Sequence, residues 1–204
     1  GIDNDQGQIR LNIENIFHTV SNLDPERRIP LALVLGAAEN RHSLHVANYE
    51  VNYAGAYASY YSNIYFQWRG KPLVVQYGPY DVPEAVAPEI LNFRDDRFTF
   101  RHAVHNVSAS NSYLVQQFSE SGLWGWVVAN DNIASSETIT VSPGYHRAHI
   151  DPRAPIIDRE EGSFYIRQWL FALNHAPENI VIASWKDFGE ETQIAPSEPS
   201  GNTR

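Results

Sequence analysis

The chain reads as an α/β protein built on a parallel sheet. Three observations carry that reading: short apolar runs with no polar face, segments of helical periodicity between them, and spacings too long for hairpins. The runs lie at Ile29–Leu35, Pro72–Tyr77, Phe98–Val104, Leu123–Ala129 and Ile180–Ser184. Each is expected to be a strand covered on both faces, as parallel strands are. With 204 residues and 43% hydrophobic content the chain can bury one sizeable core.

The elements follow in order. Ile9, Ile13, Ile16, Phe17 and Val20 are spaced as the apolar stripe of an amphipathic helix, which Asp24-Pro25 ends. Val46 to Trp68 mixes tyrosines with small residues at helical spacing, and Gly70 is its expected stop signal. Pro83 opens a further helix to Leu91, in a first-turn position where its missing N–H costs nothing. Ser142-Pro-Gly144 is a turn inside a long excursion, and Ser163–Asn174 is the last helix. Residues 1–194 are expected to form the folded portion. Ala195–Arg204, polar and with two prolines, is expected to be a loose tail.

Composition narrows the function classes. A formal charge of −9 argues against nucleic acid or an anionic membrane surface as partner, since both are polyanions. No apolar run approaches the roughly 20 residues that span a bilayer, and no basic-then-apolar signal opens the chain. The absence of cysteine rules out disulfides and thiolate metal sites. There is no methionine even at position 1, so the expectation is a processed chain or part of a longer one.

The chemistry concentrates where the last apolar run ends. Directly past Ile180–Ser184 come Asp187 and Glu190, which a tight turn could point in one direction. Two carboxylates at the C-terminal end of a parallel strand are the equipment of glycoside hydrolysis. A bare D-x-x-E also fits an acidic, solvated loop.

The flanking residues add specificity. Ser184, Trp185, Phe188, Glu190, Thr192, Gln193, Ile194 and Pro196 fall in step with I-(T/A)-S-(F/W)-N-E-(W/F)-x-E-G-T-Q-I-E-P. Val141-Ser-Pro-Gly-Tyr145, then Arg159, Gly162, Tyr165, Trp169 and Ala172-Leu173, match V-S-P-G-Y followed by R-x-x-G-x-x-Y-x-x-x-W-x-x-A-L. Upstream, Gly70-Lys-Pro-Leu-Val-Val75 looks like a G-K-P-L-(L/V)-V strand entry. Over roughly the last third of its length the chain resembles the endo-α-mannosidase-like enzymes of glycoside hydrolase family 99.

The resemblance implies a (β/α)8 TIM barrel. If the Ile180 strand is the eighth, those near 123, 98, 72 and 29 are the seventh to the fourth. The chain would then be an incomplete C-terminal portion, about strands 4–8, with Ile2-Asp3 near the end of the third. A further chain or segment would complete the barrel, because an open one exposes strand edges. In the family the two glutamates of E-x-x-E are base and general acid. Carried over residue by residue, the base falls on Asp187 and the acid on Glu190. The family's N-E is replaced by Lys186-Asp187, which shortens the base by one methylene and adds a cation that could lower a neighbouring carboxylate's pKa.

Candidate substrate contacts are Tyr145 and His146 in the Pro-Gly-Tyr block, Trp185 beside the acids, and residues after the other strands: Glu39, Trp126 and Asp131. The His-x-x-His pairs, His42/His45, His102/His105 and His146/His149, fit a shared metal on one helix face or hydrogen-bonded polar histidines. None has the H-E-x-x-H form, and no metal site or cofactor is expected. Asn106-Val-Ser108 is a glycosylation sequon, meaningful in a secretory setting alone. The expected function is retaining hydrolysis of an α-linked, mannose-like glycan or polysaccharide by a protein that is secreted, periplasmic or in a secretory lumen. The alternative is a non-catalytic glycan-binding or structural extracellular protein descended from such a barrel.

Overall fold

The structure, a computed structural model, describes residues 2–35, 44–78, 93–105, 123–126, 137–154 and 156–196. For 2–7, 44–48, 77–78, 102–105 and 123–126 it describes the backbone alone. The chain divides into two compact units, Gly1–Tyr77 with Glu84–Arg101, and Gly78–Pro83 with His102–Arg204.

The first unit holds helix α1 (Ile2–Ser21), strand β1 (Leu33–Leu35), helix α2 (Leu44–Tyr60), strands β2 (Gln67–Trp68) and β3 (Lys71–Gly78), and the start of β4 (Thr99–His105). β1 pairs with β3 in parallel, Leu33 opposite Val74 and Leu35 opposite Gln76, and β4 is the next strand on the other side of β3. Phe17 and Val20 of α1, Val51, Ala54 and Ala58 of α2, and Leu33, Leu35 and Val74 of the sheet bury together with Phe98 and Phe100. Small residues on the inner face of α2 let it approach the strands, and its Tyr53 and Tyr57 pack against the same cluster.

Local chemistry shifts several expected boundaries. In α1 the inward stripe is Ile13, Phe17 and Val20; Ile9 and Ile16 are about half exposed. The first strand is shorter than Ile29–Leu35, and Ile29 is exposed. Pro30 has no N–H to donate, so pairing cannot begin before it. Leu31 instead makes an isolated parallel bridge with Tyr65, its N–H donating to the Ile64 carbonyl at 2.8 Å. α2 ends at Tyr60, well short of Trp68, and Gly70 is not its stop signal. Arg69 and Gly70, both with positive φ (54° and 80°), form the two-residue turn joining antiparallel β2 and β3. That backbone is the type I′ pattern for which glycine is selected.

In the second unit the longer strands also pair in parallel. The end of β4 pairs with β5 (Leu123–Trp126), His102 opposite Leu123 and His105 opposite Trp126. Strand β6 (Thr138–Val141) lies beside β5 and pairs in parallel with β9 (Asn179–Ile182). The Leu123 and Ile180 runs are therefore not neighbours; a strand lies between them. β6 comes from Glu137-Thr-Ile-Thr-Val141, buried along its whole length. Its alternating threonines disguise it, because a strand buried on both faces is expected to be continuously apolar. A short ribbon, β7 (Tyr145–His146) against β8 (Ile156–Ile157), follows the Pro-Gly turn. Helix α3 (Ser163–His175) packs Ala172, Tyr165, Trp169 and Phe171 around Ile139 and Val141. β9 itself is less buried than expected, with Ile182 40% exposed.

The architecture is thus α/β with parallel strands, and the described strands do not form a closed barrel. No described helix is long and apolar enough to cross a membrane. The expected helix Pro83–Leu91, the end of the Leu123–Ala129 run and the tail beyond residue 196 lie outside the described residues. Because Ile139 is 1% exposed, Ile139→Ala should cost about 2–5 kcal/mol in urea unfolding, while Ile182→Ala should cost less than about 1 kcal/mol.

Candidate functional site

The acids sit on a loop that closes on itself. β9 leads through buried Ala183 to Ser184, across a cis peptide bond. The Ser184 N–H donates to the Thr192 carbonyl at 3.0 Å, and the Ile194 N–H donates back to the Ser184 carbonyl at 3.1 Å. The two hydroxyls, Ser184 Oγ and Thr192 Oγ1, share a hydrogen bond of 3.0 Å. Inside this closure Ser184 Oγ accepts the Asp187 N–H at 2.9 Å, and Asp187 Oδ1 accepts the Glu190 N–H at 3.0 Å. Ser184 thus fixes Asp187, and Asp187 fixes Glu190. Side-chain oxygens that capture a backbone N–H three residues on are the usual stabilisers of such turns.

The Pro-Gly-Tyr block holds the loop from the other side. The His146 N–H donates to the Glu190 carbonyl at 2.9 Å. Arg147 Nη1 approaches Glu190 Oε1 at 3.4 Å, and Arg147 also hydrogen-bonds the buried Tyr145 hydroxyl. His146 Nδ1 lies 3.2 Å from Glu191 Oε1. Arg159 reaches across to donate to the carbonyls of Glu191 at 3.2 Å and Gln193 at 3.0 Å. It can do so because Gly144 has no side chain. A Cβ there would lie 2.7 Å from Arg159 Cγ and 2.9 Å from the Ile157 carbonyl. The V-S-P-G-Y and R-x-x-G blocks are therefore one device, a glycine that lets an arginine cross.

The electrostatics raise the pKa of Glu190. Burial raises it most, Asp187 raises it further, and Arg147 only partly offsets them. Burial and the charge of Glu190 likewise raise the Tyr145 hydroxyl, so it stays neutral. A carboxyl with a raised pKa beside a second carboxylate is the kind of pairing that general acid catalysis uses. The cation expected to matter was Lys186; the cation that acts on Glu190 is Arg147.

The structure brings Asp187, Glu190, Tyr145 and His146 to one place, with Trp185 65% exposed on the same loop. Trp126 ends β5 and its side chain, like Asp131 and Glu39, lies outside the described residues. His149 stacks edge-on against His146, ring centres 6.2 Å apart. Among the described residues no group of three or more His, Cys, Asp or Glu is placed to hold a metal ion. Arg147 was missed in the sequence. The signal available was its place two residues beyond Tyr145.

Two solved structures of the family 99 endo-α-mannosidase from Bacteroides thetaiotaomicron, one in complex with bis-tris propane, superpose with TM-scores of 0.64 and 0.60 at 18% identity. The superposition covers 85% and 83% of this chain. This chain shares their fold over that stretch. It spans 62% and 57% of their lengths. No protein-family model matches the chain, and no curated protein sequence matches it.

Two outcomes follow from the site. Gly144→Ala should destabilise the chain by more than about 1 kcal/mol in denaturant unfolding, since the backbone at φ +145° and the passing Arg159 both exclude a Cβ. The raised pKa of Glu190 gives stability present below the unfolded-state value near 4.3 and lost as pH rises through the higher folded-state value. Glu190→Gln removes that loss, so the Tm of the variant relative to wild type should climb between pH 4 and pH 8. A difference that is flat or falls with pH contradicts the raised pKa.

Proposed function

We propose that the chain carries the acid–base end of a TIM-barrel glycoside hydrolase that cleaves an α-linked, mannose-like glycan or polysaccharide with retention. The observation that carries this is the placement of Glu190. It is a largely buried carboxyl with a raised pKa, on the loop after a parallel strand, next to Asp187. The fold shared with the endo-α-mannosidase structures supports the same reading. Glu190 donates its proton to the departing glycosidic oxygen as the C–O bond breaks. Asp187 takes the proton of the sugar's 2-hydroxyl as that oxygen attacks the anomeric carbon. The free oxygen for that task is Oδ2, because Oδ1 accepts the Glu190 N–H. Tyr145, neutral and hydrogen-bonded to Arg147, lines the acid's side of the site. His146, Trp185, Trp126, Asp131 and Glu39 are the proposed sugar contacts, and a further segment or chain would complete the barrel in a secreted, periplasmic or secretory-lumen setting.

A specific observation favours the non-catalytic alternative. Asp187 is already engaged by the loop's own backbone and Glu190 by Arg147, so both acids serve the loop's structure. A glycan-binding or structural descendant of the barrel would keep these bonds without turning over substrate.

Hydrolysis assays on α-mannan with the full natural polypeptide decide between them. General acid catalysis contributes about 10²–10⁴, so Glu190→Gln should cut turnover by at least a hundredfold on substrates with poor leaving groups. Asp187→Glu should raise activity if shortening is the base's one defect. Undiminished turnover by Glu190→Gln ends the acid assignment, and no hydrolysis of any α-mannan or related glycan by wild type favours the alternative.

A further inference from the structure

A second feature lies in the first compact unit and takes no part in the chemistry above. Between α1 and α2 runs an open groove of about 660 Å³, lined by Tyr53, Tyr57 and Tyr60 on α2 and by Arg10, Glu14 and His18 on α1. Its size is that of a small-ligand site, about 300–1,000 Å³. Tyr53 and Tyr57, four residues apart, share one helix face. Their rings are 4.8 Å apart and their hydroxyls share a hydrogen bond of 3.0 Å. Tyr60 is 80% exposed. Arg10 is held in place, its guanidinium 5.0 Å over the Tyr53 ring and 3.2 Å from the Tyr49 hydroxyl.

We infer that this groove is a binding site for a neutral saccharide of two or three pyranose units, separate from the carboxylate loop. The lining states the ligand's chemistry. Tyrosine rings offer flat apolar faces for sugar C–H groups, and their hydroxyls offer both donors and acceptors to sugar hydroxyls. Arg10 and Glu14 supply one positive and one negative charge, so the groove selects neither anions nor cations. Tyr53, Tyr57 and Arg10 already hold partners within the protein, but an apolar peptide face would cover the Glu14 carboxylate with nonpolar surface, which is costly. A polyol can hydrogen-bond it. Burial raises the Tyr57 hydroxyl well above its ordinary pKa, so its donor persists at any physiological pH.

The test is a calorimetric titration of the full chain carrying Glu190→Gln, with α-mannotriose and with maltotriose, alone and combined with Tyr60→Ala or Arg10→Ala. Tyr60 is 80% exposed and the fold does not depend on it. Saturable binding should weaken at least fivefold in either added variant, while Ile166→Ala, at an exposed position of α3 outside both sites, leaves it unchanged. Because hydrolysis is not read, failure of the catalytic proposal does not affect the outcome. No saturable binding of either sugar, or binding indifferent to both groove variants, overturns the inference. So does a concentration-dependent self-association, measured by sedimentation, that Tyr60→Ala abolishes and sugar leaves untouched; that result assigns the groove to a second copy.

Discussion

Between Ser184 and Thr192 the backbone closes a short loop by a main-chain hydrogen bond and joins the two hydroxyls. Thr192 is fully buried, so its hydroxyl needs that partner. Each such bond contributes only about 1 kcal/mol net. Their value lies in sequence: the closure positions Ser184 Oγ to hold the Asp187 N–H, which in turn sets Asp187 to hold the Glu190 N–H. A carboxyl several bonds from the strand is thereby fixed to the rigid end of β9. Arg159, passing over Gly144, ties the far end of the same loop to the β7–β8 ribbon.

That rigidity gives Glu190 its environment. Coulomb attraction between unit charges about 4 Å apart is roughly 1 kcal/mol in water and about 4 kcal/mol near a protein surface. Arg147 stands at 3.4 Å but its side chain is 40% exposed, so solvent screens it, whereas Glu190 is only 18% exposed. Desolvation and the neighbouring Asp187 therefore outweigh the cation. The same arginine, hydrogen-bonded to Tyr145, holds the Glu190 carboxyl in place while lowering its pKa only in part.

Much of this was legible in the residues, and the failures have physical causes. Leu73, Val74 and Val75 announce a buried strand because every residue is apolar, and β3 runs where they place it. Asp187 and Glu190 were legible as a pair because D-x-x-E after a strand carries its own turn. Thr138-Ile-Thr-Val141 was not legible as a strand, since threonine looks like a polar face although here it is buried. Gly70 misled because a positive-φ glycine ends a helix and turns a hairpin equally well; Arg69 beside it, also at positive φ, decides for the hairpin. Arg147 was hidden because its function comes from a contact 43 residues away in the chain.

The loop geometry leads to one claim, that burial and the neighbouring Asp187 raise the pKa of Glu190. Carbon-13 NMR titration of the Glu190 side-chain carboxyl measures this without any substrate. Its midpoint should lie above the ordinary glutamate value, fall toward it in Asp187→Asn, and rise further in Arg147→Ala. A midpoint at or below the ordinary value, indifferent to Asp187→Asn, would contradict the assignment.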